Sequence, residues 1–207
     1  MRSSHFILKV VFFLSGFSAL IYQIIWQRML FTAFGVDLES ITIIISVFMA
    51  GLGIGAYFGG RIADILLFRL GVSSLLVFFA ITKVGIGSFG ILSPFLIEFI
   101  QQTFLYSSTS TIAFVNFLLL LFPTFLMGST LPLLTTYLQQ FINNIGENIG
   151  WLYFTNTLGA AFACFMTGFV LFDMYTLDQV IYIAGGINFI VAMTVLGGFS
   201  KKEKKND

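Results

Sequence analysis

Long runs of apolar residues recur along the chain, and short polar or charged stretches separate them. A helix needs about 20 mostly apolar residues to cross roughly 30 Å of hydrocarbon. Six segments meet this requirement, at about 6–26, 40–60, 70–92, 111–132, 150–171 and 179–199. These runs are continuous and do not alternate between apolar and polar residues, so they predict helices rather than barrel strands. The predicted fold class is all-α, a polytopic membrane protein with a six-helix transmembrane bundle.

The fourth segment contains Pro123 and Pro132. Because proline removes a backbone donor and kinks a helix, we expect one long, bent helix from about Ser110 to Gln139. The stretch before it, PFLIEFIQQTFLY (94–106), is amphipathic and too polar to span. We expect it to form a short helix that lies at the membrane interface.

Composition agrees with a membrane protein. Only 9% of the residues are charged and 58% are hydrophobic, and the mean hydropathy is +1.00. A soluble domain carries about 25% charged residues, so this chain has too few charges to cover its surface against water. A soluble nucleotide-binding enzyme is close to excluded. A transport-type membrane protein and a membrane anchor for an enzyme both stay open.

The positions of the charges predict the orientation, because positive residues accumulate in cytoplasmic loops. With both termini inside, eight of the ten Lys and Arg residues are cytoplasmic: Arg2, Lys9, Arg61, Arg69, Lys201, Lys202, Lys204 and Lys205. The outer loops then hold Asp37, Glu39, Glu98, Asp173 and Asp178. We therefore predict a multi-pass protein of the bacterial inner membrane. Residues 1–200 form its transmembrane domain and residues 201–207 a basic cytoplasmic tail.

The segment GLGIGAYFGGRIAD (51–64) has two interpretations. A dinucleotide-binding loop requires a preceding strand and an acidic residue about 20 positions further on, but no acid lies between Asp64 and Glu98. In lipid, small residues spaced four apart let two helix backbones approach closely. Gly51, Gly55 and Gly59 have this spacing, so the segment predicts a packing seam.

The fifth segment has a similar pattern. One stripe of small residues is formed by Ala160, Cys164 and Gly168, and a neighbouring stripe by Gly159 and Ala163. We therefore expect the second and fifth helices to be the most deeply buried in the bundle.

Metal and cofactor chemistry is not expected. Cys164 is the only cysteine and His5 the only histidine, so an internal disulfide and a Cys/His metal cluster are both excluded. We expect no cofactor, no nucleic-acid partner and no enzymatic activity.

Four stretches carry a resemblance to a known family. They are FFLSGFSALIYQIIWQRMLFTAFG (12–35), FMAGLGIGAYFGGRIAD (48–64), PTFLMGSTLPLL (123–134) and GWLYFTNTLGAAFACFMTGFVL (150–171), about 75 of the 207 residues. In this order they resemble the membrane half of fused MFS/spermidine-synthase-like proteins. Those proteins join a region similar to part of a major facilitator transporter to a domain resembling spermidine synthase.

The resemblance implies a bundle like one half of a major facilitator transporter. The stretch KKEKKND follows the sixth span, and we expect no synthase-like domain in this chain, so aminopropyl transfer is not carried over to it. The implied function is a transporter-like role for a small molecule, with a link to polyamines. The alternative is a non-catalytic anchor or scaffold for a separate, soluble spermidine-synthase-like enzyme. Six helices are half of the usual twelve, so the implied partners also include a second copy or another membrane subunit, besides the lipid bilayer.

The stretch GGRIADILLFRLG (59–71) is similar to the loop between the second and third helices of major facilitator transporters. Gly60, Asp64 and Arg69 fit the order of that motif. Asp64 either pairs with Arg61 or a helix end at an inward gate, or lies in a solvated turn.

Lys83 is the first candidate site residue, because it is the only charge deep inside a predicted span. Ionisable groups there usually mark pathways or ion pairs. Lys83 either faces a cavity and contacts an anionic or carbonyl group of a ligand, or its stem snorkels toward the outer surface. No Asp or Glu is predicted deep inside any span, which argues against a polyamine as the substrate. A lipid-like, aromatic or neutral ligand fits the spans at least as well.

Two further clusters are candidates for ligand binding. Tyr22, Gln23, Gln27 and Arg28 accompany Trp26 at the outer end of the first helix, either as an interfacial belt or as a binding vestibule. Asn156 lies among Thr155, Thr157, Trp151 and Tyr153 in the fifth segment. Hydrogen bonding between helices is the default role for Asn156, and also for Asn116 and Asn188.

Overall fold

The computed structural model describes residues 2–34, 37–104, 106–141 and 144–203. All regular structure in these ranges is helical. The helices are α1 (Arg2–Phe34), α2 (Asp37–Leu70), α3 (Val72–Thr103), α4 (Thr109–Gln139), α5 (Ile145–Met166), a π-helical turn (Thr167–Leu171), α6 (Phe172–Met174) and α7 (Leu177–Glu203). The predicted tail is helical as far as Glu203, and residues 204–207 lie outside the described ranges. So do the side chains of several residues used above: Arg2, His5, Asp37, Glu39, Lys201 and Lys202.

Six stretches in the described ranges are long and apolar enough to cross a membrane. They are Phe6–Thr32, Ile41–Leu70, Val72–Thr103, Ser110–Gln139, Gly146–Met174 and Leu177–Gly197. The predicted all-α, six-helix bundle is therefore confirmed. The single long helix predicted across both prolines of the fourth segment is confirmed as well, because α4 runs through Pro123 and Pro132.

The separate interfacial helix predicted over 94–106 is wrong, because α3 continues through Pro94 to Thr103. Pro94 has no N–H for the carbonyl of Gly90, four residues earlier. The Ser93 hydroxyl donates to that carbonyl at 2.7 Å. The hydrogen bond that proline removes is thus replaced by a side chain, and the helix does not have to end there.

The region 61–69 is also helical and is not the loop that the transporter motif implies. α2 runs to Leu70, and Gly71 alone connects it to α3. Gly71 has φ +83°, a left-handed conformation that glycine adopts without steric cost. Arg61 lies over the Tyr57 ring, with its guanidinium carbon 4.5 Å from the ring centroid. Among the described side chains, Asp64 forms no ion pair.

The bundle is organised around three close helix pairs, α1 with α5, α2 with α4, and α3 with α7. The pairing is symmetric between the two halves of the chain: if α1 is exchanged with α4, α2 with α5 and α3 with α7, the same three pairs result. Each pair joins a helix from one half of the chain to a helix from the other half. α3 also packs on α4, and α1 on α7 and α2.

Glycines allow the backbones of these pairs to meet. A side chain on Gly55 would overlap the Phe125 carbonyl oxygen, and a β-carbon on Gly59 would lie 2.6 Å from the Ser129 α-carbon. In the α1–α5 pair, Gly16 faces the backbone of Asn156 and Gly159 faces the backbone of Phe13. The predicted packing seam is therefore confirmed, with α4 as the partner of α2.

The prediction that the second and fifth helices are the most buried is wrong. In the apolar, membrane-spanning part of each helix, only 28% of the residues of α2 and 17% of those of α5 are buried, against 56% for α3. The small residues of α2 and α5 serve one seam each, and large apolar side chains cover the remaining surface. In α5 the seam uses Gly159 and Ala163, whereas Cys164 of the other stripe is exposed.

Candidate functional site

A cavity of about 330 Å³ lies inside the bundle. Its lining combines side chains from the two apolar clusters of the core, including Phe12 of one cluster and Ile86 of the other. All six long helices contribute to it. One lining residue from each helix, in chain order, is Ser15, Leu52, Lys83, Thr130, Asn156 and Asn188.

Lys83 is the charged residue of this cavity. Its side chain is only 2% exposed, and its ammonium donates a hydrogen bond to the hydroxyl of Ser15, 68 positions away in α1. The Phe79 ring centroid lies 5.5 Å from the same nitrogen. Lys83 therefore points into the bundle toward α1. The alternative in which its stem snorkels to the surface is wrong.

The lining that the structure describes contains no Asp or Glu. A buried charge is costly unless it is paired and hydrogen-bonded, and a hydroxyl group supplies no counter-charge. When Lys83 is protonated, the described lining therefore provides no counter-charge for it.

Ser15 is placed to accept from Lys83 by the geometry of α1. The Ser18 hydroxyl donates to the Ser15 carbonyl at 3.1 Å, so Ser18 satisfies its own donor within the helix, as buried serines commonly do. The Ser15 hydroxyl remains the partner of Lys83. The next residue is Gly16, whose missing side chain lets α5 approach α1 beside the cavity.

Of the six residues predicted to bind a ligand, the structure brings three together at the cavity: Lys83, Gln23 and Asn156. The Gln23 and Asn156 side chains are half-buried. Tyr153, which the sequence grouped with Asn156, also lines the cavity.

Gln27 and Arg28 do not line the cavity. Gln27 is half-buried elsewhere on α1, and Arg28 is exposed with its guanidinium carbon 5.0 Å from the Phe172 ring centroid. The outward vestibule that would unite Gln23, Gln27 and Arg28 is therefore absent from the described structure.

Tyr22 and Trp26 lie in the core, and the prediction that they form part of an interfacial belt is wrong. Both are fully buried, and their rings stack with centroids 5.0 Å apart. The Trp26 indole donates to the Ser93 hydroxyl at 2.8 Å. The Tyr22 hydroxyl lies against Gly90. It interacts with the Asn188 side chain, but no group in the described structure meets full hydrogen-bond geometry with it.

The buried asparagines bond to their own helices. The Asn188 amide donates to the Ala184 carbonyl at 2.9 Å, and the Asn116 amide donates to the Ile112 carbonyl at 2.9 Å. Bonding between helices is not observed for Asn116 in the described structure, whereas the Asn188 side chain interacts with the Tyr22 hydroxyl of α1. Asn188 also lines the cavity, and its buried Oδ1 has no partner that meets full hydrogen-bond geometry in the described structure.

The sequence reasoning missed Ser15, Ser18 and Thr130 as lining residues. Serine and threonine are common in spans and carry no signal of their own. Only an indirect argument could have predicted them. A lysine in the middle of a span, with no Asp or Glu at the same depth in the membrane, needs a neutral hydrogen-bond acceptor from another helix.

A second cavity of about 270 Å³ lies where α1 and α5 begin, and Lys9, Glu147 and Trp151 contribute to its lining. The Lys9 ammonium lies 3.6 Å from the Trp151 ring centroid. Glu147 bonds to the capping residue Asn144, whose amide donates to it at 3.2 Å. Both charges thus have local structural roles, and this cavity is separate from the one around Lys83.

Comparisons with protein-family profiles, with curated proteins and with solved structures gave no match for this chain. Its function is therefore inferred from the chemistry of the cavity.

Proposed function

We propose that this chain is an integral membrane protein that binds a small molecule in the Lys83 cavity and acts in a transporter-like role. The observation that carries the proposal is the burial of Lys83 in a cavity to which all six long helices contribute. Ionisable residues inside a membrane are rare and usually mark substrate or ion pathways. The cavity volume also falls in the range of small-molecule sites, roughly 300–1,000 Å³.

The participation of all six helices supports transport over passive anchoring. An anchor needs apolar length only, and a buried lysine lowers the stability of such an anchor. A site formed jointly by both halves of the bundle changes shape whenever the helix pairs move relative to each other. Coupling of this kind between binding and helix movement is what alternating access requires.

A polyamine substrate receives no support from the cavity. Its described lining contains Lys83 and no carboxylate, so a polycation would find no counter-ion there. The link to polyamines therefore depends on the family resemblance alone, as does the alternative in which the chain anchors a spermidine-synthase-like enzyme.

We propose the bacterial inner membrane as the location, with both chain termini in the cytoplasm. Arg61 and Arg69 are exposed near the end of α2, at the same end of the bundle where α1 begins. The exposed acids Glu98, Asp173 and Asp178 lie near the opposite helix ends. Assembly with a second copy or another membrane subunit is part of the same proposal, and full activity of an enforced monomer would contradict that part.

Transport is tested in proteoliposomes that are exposed to a filtered small-molecule extract of the expression host. Mass spectrometry of the vesicle contents is compared for the wild type and for Lys83→Met, which keeps the length of the side chain without its charge. At least one solute is expected to accumulate with the wild type and not with Lys83→Met. Identical contents in the two preparations, at equal protein incorporation, would refute the proposal.

A further inference from the structure

The charges around the cavity constrain its ligand. Lys83 is almost completely buried, and no Asp or Glu lines the cavity in the part of the chain that the structure describes. Moving a charge out of water is costly, and an opposite charge in contact recovers much of that cost. A ligand with one negative charge balances a protonated Lys83, whereas a dianion leaves one charge uncompensated in the same surroundings.

The hydrogen bonds of Lys83 leave room for such a partner. An ammonium group has three donors, and in the described structure Lys83 directs one of them at the Ser15 hydroxyl. A carboxylate accepts stronger, charge-assisted hydrogen bonds than a hydroxyl does. A ligand carboxylate that reaches Lys83 can therefore replace Ser15 or share the ammonium with it.

The remaining walls favour an apolar body on the ligand. Aromatic and aliphatic side chains dominate them, including Phe12, Leu20, Phe48, Leu52, Ile86 and Met127. These walls offer dispersion contacts but no hydrogen bonds, so a heavily hydroxylated ligand would lose its bonds to water there. Gln23 and Asn156 also line the cavity, and their amides are groups that could hydrogen-bond one neutral polar group of a ligand.

We propose that the ligand of this cavity is a compact monocarboxylate with an apolar, branched or aromatic body, and that its carboxylate serves as the counter-ion of Lys83. This inference rests on the proposed function, because it names the class of molecule that the same cavity binds.

Three probes that share a benzene ring but differ in charge test the ligand class: benzoate, benzamide and benzylamine. Thermal unfolding of the purified protein in detergent is followed with each probe at pH 7 and constant ionic strength. A ligand of the native state raises the melting temperature as its concentration exceeds Kd. Benzoate is expected to raise it, benzamide to raise it much less, and benzylammonium to leave it unchanged.

Variants locate the effect. Lys83→Met is expected to weaken benzoate binding about tenfold or more, the loss expected for one charge-assisted hydrogen bond. Lys9→Met is the matched control, because Lys9 lies at the other cavity, and it should keep the response to benzoate. Ser15→Ala should lower the melting temperature of the free protein and enlarge the benzoate shift, because the competing hydroxyl has gone.

The outcomes separate this inference from the proposed function. Equal stabilisation by benzoate and benzamide, or a benzoate effect that survives Lys83→Met, overturns the ligand class. If no probe stabilises the protein while proteoliposomes accumulate a solute that depends on Lys83, the ligand class is wrong and the proposed function stands. Stabilisation by benzoate that depends on Lys83, without accumulation of any solute, supports the ligand class and refutes transport.

Discussion

The indole of Trp26 in α1 and the hydroxyl of Ser93 in α3 form a buried hydrogen bond of 2.8 Å. The same hydroxyl donates to the Gly90 carbonyl at 2.7 Å, the carbonyl that Pro94 leaves without its helical donor. One serine therefore satisfies the tryptophan of a neighbouring helix and compensates for a proline in its own.

Ser93→Ala is expected to destabilise the bundle by about 1–3 kcal/mol, because it leaves a buried indole N–H and a buried carbonyl without partners. The measurement is equilibrium unfolding of the detergent-solubilised protein. Ser107→Ala is the control, since Ser107 is exposed and its substitution should change stability by less than about 0.5 kcal/mol. Equal effects of the two substitutions would contradict this role of Ser93.

Gly55→Ala is expected to destabilise the α2–α4 pair by about 1–3 kcal/mol, because the added methyl group overlaps the Phe125 carbonyl. Gly53→Ala is a matched control on the same helix, because nothing lies within 4 Å of the site of its β-carbon. It should be neutral or stabilising by up to about 1 kcal/mol, since alanine favours helix more than glycine does. The two variants are compared by thermal unfolding, and the opposite order would exclude the seam.

Tyr22→Phe is expected to leave stability within about 0.5 kcal/mol of the wild type, or to raise it, because no group in the described structure meets full hydrogen-bond geometry with the hydroxyl that it removes. The ring that stacks on Trp26 is kept. Trp26→Phe, measured alongside, should destabilise the protein because it removes the donor to Ser93. A loss above about 1.5 kcal/mol for Tyr22→Phe would reveal a hydrogen bond to a group such as Asn188, and the prediction would fail.

Labelling of single cysteines tests the orientation. In a Cys164→Ala background, Tyr106→Cys and Leu70→Cys place a thiol at positions where the native side chains are 99% and 70% exposed, near opposite ends of the bundle. A membrane-impermeant maleimide should label Tyr106→Cys in intact bacterial spheroplasts. It should label Leu70→Cys only after permeabilisation. The reverse pattern would place the termini outside.

The helices were predictable because an uninterrupted apolar run leaves few alternatives in lipid, where backbone groups must bond within the helix. The glycine seam was predictable for a similar reason, since Gly51, Gly55 and Gly59 fall on one side of a helix whatever its partner is. The end of α3 was not predictable, because the stretch after Pro94 has the composition of a helix end. The compensating bond from Ser93 becomes visible only in three dimensions.

The site was only partly predictable. Lys83 is conspicuous because no other charge lies so deep in a span, and its partner Ser15 is not, because 68 positions separate the two in sequence. Tyr22 and Trp26 have the composition of an interfacial belt, but α1 continues to Phe34 and so places both of them well inside the bundle. Hydropathy did not show how far α1 extends beyond its apolar run, and this extension explains why Tyr22 and Trp26 are buried.

The three close helix pairs also determine when the protein can assemble. α1, α2 and α3 each find their main partner among α5, α4 and α7, which the ribosome produces later. The glycine faces of α1 and α2 therefore gain their packing partners only after α4 and α5 have been synthesised. The Lys83–Ser15 contact joins α3 to α1 and so needs only helices that are synthesised before α4.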